Sequence, residues 1–371
     1  MRISLIYKSA PWVERHVIRS FLALNAQVDC YDLRINAGAR PDQRFTKGES
    51  SYAEGYDLIF IVEGVDSNLD LKALTRARMK GAIICNYLVD VPQEWWRSLE
   101  VARICDVVLV AQKENSLRLK RPANRVVYFP FAVSEEFLKS AGDEDASSAA
   151  SKKGLIFIGS AHSRWRWRFL KELDKLGLPI EVVGQGWLEP PHRREFTRNL
   201  KDLAILGPFY HIERLRGSGG VSAVIGGCIN KLAPIHEMSL ANATVHGFLD
   251  EVSLRFLISS AAVNVSTSIH GSGYLVGRPK RQFKLRDIEF PCYESPLLTD
   301  PAPELREIFE NGKHVLFYEN SRELESIARS VTRNPEQYRT ISTKARLLIS
   351  QKHTWSHRFK ELSSIINMDL S

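Results

Sequence analysis

The chain has 371 residues, and at roughly 150 residues per domain that length suits two domains. Hydrophobic residues at 44% and charged residues at 25% are those of an ordinary globular protein, which excludes a disordered, collagenous or disulfide-scaffold chain. Lys plus Arg number 51 against 43 Asp plus Glu, a net charge of +8 that predicts an anionic partner: nucleic acid, a phosphorylated small molecule or anionic lipid. Five scattered cysteines (Cys30, Cys85, Cys105, Cys228, Cys292) without a CxxC pair fit a reducing compartment and no structural zinc. The N-terminal apolar run before Lys8 is too short for a signal peptide, and no later run approaches the ~18 apolar residues of a spanning helix. The expectation is a cytoplasmic protein, with peripheral association at the inner face of a membrane left open.

In chain order, the runs RISLIY, YDLIFIVEG, GAIICNYLVD, CDVVLVAQ and NRVVYFPFA read as strands covered on both faces, because their apolar character is continuous. Helices are expected between them over 13–24, 69–79 and 94–102. That alternation is βαβα, the signature of a parallel sheet. The stretch KSAGDEDASSAASKK at 139–153 has no large apolar side chain and reads as a linker. The alternation then restarts with LIFIGS, a helix over 165–176 and PIEVVGQG, followed later by AAVNVSTS, SPLLTD and HVLFY. Two doubly wound α/β domains are expected, 1–140 and 154–354, separated by a linker at 141–153. The mixed glycine, proline and basic segment at about 187–245 reads as an insertion or an active-site loop region. Helices over 321–333, 335–352 and 356–366 close the chain, with Pro335 at a first turn and Thr354 as a cap.

Parallel α/β sheets bind ligands beyond the carboxyl ends of their strands, where helix N-termini favour anions. Two segments meet that rule. In FIGSAHSRWRWRF, Gly159 and Ser160 end a strand and His162, Arg164, Arg166 and Arg168 follow; this is a phosphate loop or a basic helix face. In the second, Gly271, Gly273 and Gly277 precede five basic residues between Arg278 and Arg286, and Glu289 follows Arg286 at helical spacing. Cations for a diphosphate beside a carboxylate for ribose hydroxyls make a nucleotide site; an exposed basic loop is the alternative. Asp90 ends the strand IICNYLV and is a candidate catalytic group, or a loop residue beside Pro92. Asp143-Glu144-Asp145 matches a DxD metal signature but lies in the linker, so no metal is expected.

The segment FKLRDIEFPCYESPLLTD through HTWSHRFKEL resembles the C-terminal domain of glycosyltransferases related to the spore-maturation protein CgeB. The elements that carry this are an Arg-x-x-Glu helix start, a Leu-Thr-Asp strand, a Glu-x-Gly-Lys loop and a closing His-Thr-Trp-x-x-Arg helix. Upstream, LIFIGSAHSRWRWRFL, VVGQGW, CNYLVDVPQEWW and VVYFPFAVSEEFL are similar in style. The resemblance implies a GT-B architecture: two Rossmann-like domains facing a cleft, acceptor on the first, nucleotide-sugar donor on the second, and the helix over 355–371 returning to the first. It implies a metal-independent transfer, of a UDP- or GDP-linked sugar to a carbohydrate or cell-surface polymer, with no cofactor besides the donor. Lys284 and Arg286 would offset the leaving diphosphate. Glu289 corresponds to the donor-binding carboxylate, Gly159 to the phosphate-facing loop and Gly186 to the neighbourhood of the nucleotide. Glu294 stands where the family has glycine. A sugar-nucleotide epimerase or hydrolase on the same fold, a silent sugar-binding partner and a nucleic-acid-binding protein are the competing readings. The absence of any recognisable reading motif disfavours nucleic acid.

Overall fold

The computed structural model describes residues 1–8, 10–33, 51–63, 69–89, 98–120, 123–141, 153–161, 164–188, 240–270, 280–293 and 295–370. The chain divides into two compact units, Met1–Lys139 with Ser350–Ser371, and Ser140–Ile349.

The first unit is built on β1 (Arg2–Tyr7), β2 (Gln27–Asp32), β3 (Leu58–Val62), β4 (Ile83–Leu88), β5 (Val107–Val110) and β6 (Val126–Tyr128). They form a parallel sheet in the order β2-β1-β3-β4-β5-β6. All of β3 and β5 and nearly all of β1 and β4 are buried, because helices cover both faces of a parallel sheet. The edge strand β2 was not legible in the sequence. Its residues QVDCYD are polar or half-buried, so it lacks the continuous apolar run of its neighbours.

The helix expected over 13–24 begins instead as a π-helical turn, Val13–Ile18, and continues as α1 (Arg19–Leu22). Helix α2 (Leu71–Met79) starts where Asp70 accepts the Lys72 and Ala73 N–H groups at 3.0 Å, a side-chain cap. Further helices before the linker among the described residues are α3 (Leu99–Ile104), α4 (Lys113–Leu119) and α5 (Glu135–Ser140).

The second unit carries β7 (Leu155–Ile158), β8 (Ile180–Val183), β9 (Ala243–His246), β10 (Val263–Val265), β13 (Leu297–Thr299) and β14 (Leu316–Phe317) in one parallel sheet. The order is β14-β13-β10-β7-β8-β9. A short antiparallel pair, β11 (Ile269–His270) with β12 (Lys280–Arg281), follows β10. Helices α6 (Arg164–Asp174), α7 (Glu251–Ser260), α8 (Arg286–Glu289), α9 (Pro303–Ile308) and α10 (Ser321–Arg333) belong to this unit. Helix α11 (Pro335–Lys352) runs from it into the residues of the first unit. Strand β9 lies within the segment read as an insertion and forms the sheet's edge; its neighbours at 189–239 are outside the described residues.

The last helix, α12 (Trp355–Ile366), completes the first unit's core. Trp355 is buried among Phe21, Phe60, Tyr87, Phe129 and Phe359. The main chain is stitched as well: Val133 N–H donates to His353 and Trp355 N–H donates to Val133. Thr354 stands at the N-cap position, but its hydroxyl meets His357 Nδ1 at 2.8 Å and makes no backbone cap, correcting the role read from the sequence. Among the described residues no helix is long and apolar enough to cross a membrane.

Candidate functional site

In the second unit the chain lays down β7, β8 and β9 in one direction, then crosses to the other side of β7 with β10, β13 and β14. The order therefore reverses between β7 and β10. At such a reversal the loops beyond two adjacent carboxyl ends diverge and leave a crevice for a ligand. The residues there are Gly159 and Ser160 after β7, and Ser266, Thr267 and Ser268 after β10.

Among the described residues, three cations donate to main-chain carbonyls at these ends. Arg286, the first residue of α8, donates to the carbonyl of Ile158. Lys284 Nζ donates to the carbonyl of Thr267. Arg166, on the first turn of α6, donates to the Ser160 carbonyl at 2.7 Å and its hydroxyl at 2.6 Å. The neighbouring tryptophans pin the same loops, Trp187 Nε1 to the Gly159 carbonyl and Trp165 Nε1 to Thr267 Oγ1 at 3.3 Å.

The loop glycines make this packing achievable. A Cβ on Gly184 would lie 2.3 Å from the Gly159 oxygen, and one on Gly159 would meet Arg286 Nη1 at 3.0 Å. Gly186, at φ +84°, is beside Ala161, whose N–H donates to Gln185 at 2.9 Å.

Beneath the cations lie two buried carboxylates. Asp287 accepts the Lys284 main-chain N–H at 2.9 Å and the Ser266 hydroxyl at 3.1 Å. Asp300, just past β13, accepts the N–H and the hydroxyl of Ser268, both at 2.6 Å, and pairs with Arg281. Burial pushes the Lys284 ammonium well below its ordinary value, with Arg286 adding to the shift. Burial raises the Asp287 carboxyl, opposed chiefly by the charge of Lys284. Such shifts are expected where charges are gathered for a ligand and out of water.

Of the residues singled out from the sequence, the structure thus brings Gly159, Ser160, Lys284 and Arg286 together, with Gly186 on the adjoining loop. Glu289 ends α8 and acts on the buried Cys292 thiol, whose ordinary range burial and that carboxylate push upward. Arg164 opens α6; its side chain, and Asp90, His162, Gly273 and Glu294, lie outside the described residues. Sequence reasoning did not single out Thr267, Asp287 or Asp300 as site residues, and Arg166 stood there only as one arginine of three. Their signal is a three-dimensional one, carried by the adjacency of β7, β10 and β13.

The first unit's sheet also reverses order, between β1 and β3. Directly beyond β3, Glu63 holds a left-handed backbone at φ 53°, its N–H donating to Tyr87 at 2.8 Å. A non-glycine residue in that region stores strain, and such strain concentrates at functional sites.

A sequence-family profile described as "Glycosyl transferase-like" matches residues 164–364, more than half of the chain. No curated protein sequence matches the chain. Among solved structures, Anabaena HepE in complex with UDP-glucose is similar at a TM-score of 0.60 and 11% identity, covering 99% of each chain. Sucrose-phosphate synthase from Thermosynechococcus elongatus is similar at 0.58 and 13% identity, with 99% of this chain and 98% of that one covered. T4 phage BGT in complex with its UDP-glucose substrate gives 0.56 and 13%, with 99% and 100% covered. At these identities the likeness is one of fold, and the fold is GT-B, two Rossmann-like α/β units in one chain.

Proposed function

Because the chain belongs to the glycosyl transferase-like family, we propose that it moves a sugar from a nucleoside-diphosphate sugar to a hydroxyl of a carbohydrate or cell-surface polymer, without a bound metal, as a CgeB-like member. The observation that carries the donor side is the convergence of Arg166, Lys284 and Arg286 where β7 and β10 part. In the transfer the bond from the anomeric carbon to the diphosphate oxygen breaks, and the diphosphate leaves with the electron pair. Preorganised cations and the N-terminus of α6 offset that developing charge, the function a metal serves elsewhere. The acceptor oxygen bonds to the anomeric carbon and gives up its proton. On the acceptor side, Asp90 is the carboxylate proposed from the sequence, and Glu63 is the described carboxylate at the reversal of the first sheet. The UDP and UDP-glucose complexes of the similar structures support uridine as the first nucleotide to test.

The test is calorimetric titration of UDP and GDP, and of their glucose conjugates, into the wild type, Arg286→Ala and Glu289→Ala. Loss of a hydrogen bond to a charged group costs about 1.5–3 kcal/mol, so the arginine variant should bind the matching nucleotide ~10–100-fold more weakly. Unchanged affinity in both variants would remove the donor site. Incubation of the donor without acceptor separates a transferase from a hydrolase or epimerase, which consumes donor alone.

A further inference from the structure

The loop entering α8 carries Lys284, Arg286 and Asp287 almost consecutively, and their side chains diverge. The two cations reach the carboxyl ends of β10 and β7, while Asp287 turns inward and is 0% exposed. Its Oδ2 takes the main-chain N–H of Lys284 and its Oδ1 takes the hydroxyl of Ser266, the first residue beyond β10. One carboxylate thus ties the loop that bears the cations to the strand end over which they stand. A buried carboxylate is costly unless its oxygens are hydrogen-bonded and a counter-charge is near, and both conditions are met here.

We propose that Asp287 is a positioning residue for donor binding: it fixes the loop of Lys284 and Arg286 against the carboxyl end of β10. The inference rests on the donor reading above.

The groups facing Lys284 come from three elements. Arg286 on α8 and Arg166 on α6 discourage its protonation, as burial does; Asp287 on α8 and Asp300 beyond β13 favour it. Of the two acids, Asp300 is already engaged by Arg281 and Ser268. Asp287 in turn is raised by burial and brought down by Lys284, by the hydrogen bond from the Lys284 main-chain N–H, by Arg286 and by the Ser266 hydroxyl. Removing its charge while keeping its shape therefore leaves Asp300 alone to oppose burial and the two arginines, and the protonation of Lys284 retreats to lower pH.

The experiment is UDP affinity as a function of pH from about 5 to 10, with the ionisation of the nucleotide's own terminal phosphate near about pH 6 accounted for. Wild type should lose affinity on an alkaline limb as Lys284 deprotonates. Asp287→Asn should shift that limb down by about 1–3 pH units, the effect of an adjacent opposite charge. Lys284→Arg, which stays charged, should abolish the limb; Ser266→Ala, which takes one hydrogen bond from the Asp287 carboxylate, should move the limb in the same direction as Asp287→Asn and decides the matter if that variant does not fold. An unmoved limb in Asp287→Asn, or a persistent limb in Lys284→Arg, overturns the positioning role. Failure of the wild type to bind UDP or GDP at any pH overturns the donor reading itself.

Discussion

At the scale of single residues, the candidate site is set by how closely two backbones approach. Gly184 has φ +142°, and a Cβ there would strike the Gly159 oxygen at 2.3 Å, a main-chain atom that cannot swing aside. Gly177 has φ +66° but open space around it. Gly177→Ala should therefore cost only the left-handed backbone penalty, about 1–2 kcal/mol. Gly184→Ala should cost about 1–3 kcal/mol by overpacking and displace the Gly159 loop as well. Urea melts and nucleotide titration check both: the Gly177 variant should lose stability alone, the Gly184 variant stability and nucleotide affinity. Equal affinity in the two would show that the close approach does not shape the site. The sequence made Gly159 legible as the end of a strand, because LIFI ahead of it is apolar without interruption. It could not reveal that Gly184, 25 positions on, must be small for the same reason, since only the pairing of β7 with β8 sets them against each other.

At the scale of elements, legibility followed burial. The central strands stood out because helices cover both their faces, and the edge strand β6 did because VVY is apolar; β2 and β9 did not, because polar residues interrupt them. The helix starts at Ser321 and Pro335 were readable from local chemistry: Asn320 caps the first through the Arg322 and Glu323 N–H groups, and Pro335 opens the second. The π-turn at Val13–Ile18 carried no such signal. The junction of α11 and α12 holds a pH-sensitive point. His353 Nδ1 faces Arg358 at 3.1 Å, and Arg358 in turn donates to the Pro130 carbonyl at 2.8 Å. Burial, then Arg358, His357 and Lys352, push the imidazole from 6.5 down to about 4. Its folded value lies below its unfolded one, so the neutral ring's contribution is complete above pH 6.5 and is lost as pH falls toward about 4. The loss is at most about 3 kcal/mol, less for the part of the ring that water reaches. Unfolding free energies between those pH values should fall less steeply in His353→Gln than in wild type; parallel curves would exclude this histidine.

At the scale of the whole molecule, the chain passes from the first unit to the second and returns, so Ser350–Ser371 belongs to a core whose other residues precede Lys139. A linear reading of apolar periodicity cannot see such a return, because α12 looks the same whichever core it fills; the resemblance to a known family supplied that expectation instead. The consequence is a strong dependence of the first unit on its distant final helix. Deletion after residue 349 removes Trp355 from among Phe21, Phe60, Tyr87 and Phe129, and strips Arg358 from the Pro130 and Phe131 carbonyls. Loss of one buried tryptophan alone costs about 3–5 kcal/mol, a large part of the 5–15 kcal/mol by which a domain is stable. The second unit keeps its own core of Leu155, Phe157, Leu170, Val182, Val265 and Leu298. Chain 1–349 should therefore melt in two separated transitions, the earlier one that of the first unit and the later one that of the second, which carries Trp165, Trp167 and Trp187. Hydrogen exchange resolved by peptide assigns each transition to its unit. A single transition at the full-length temperature would show that α12 is dispensable to the first core.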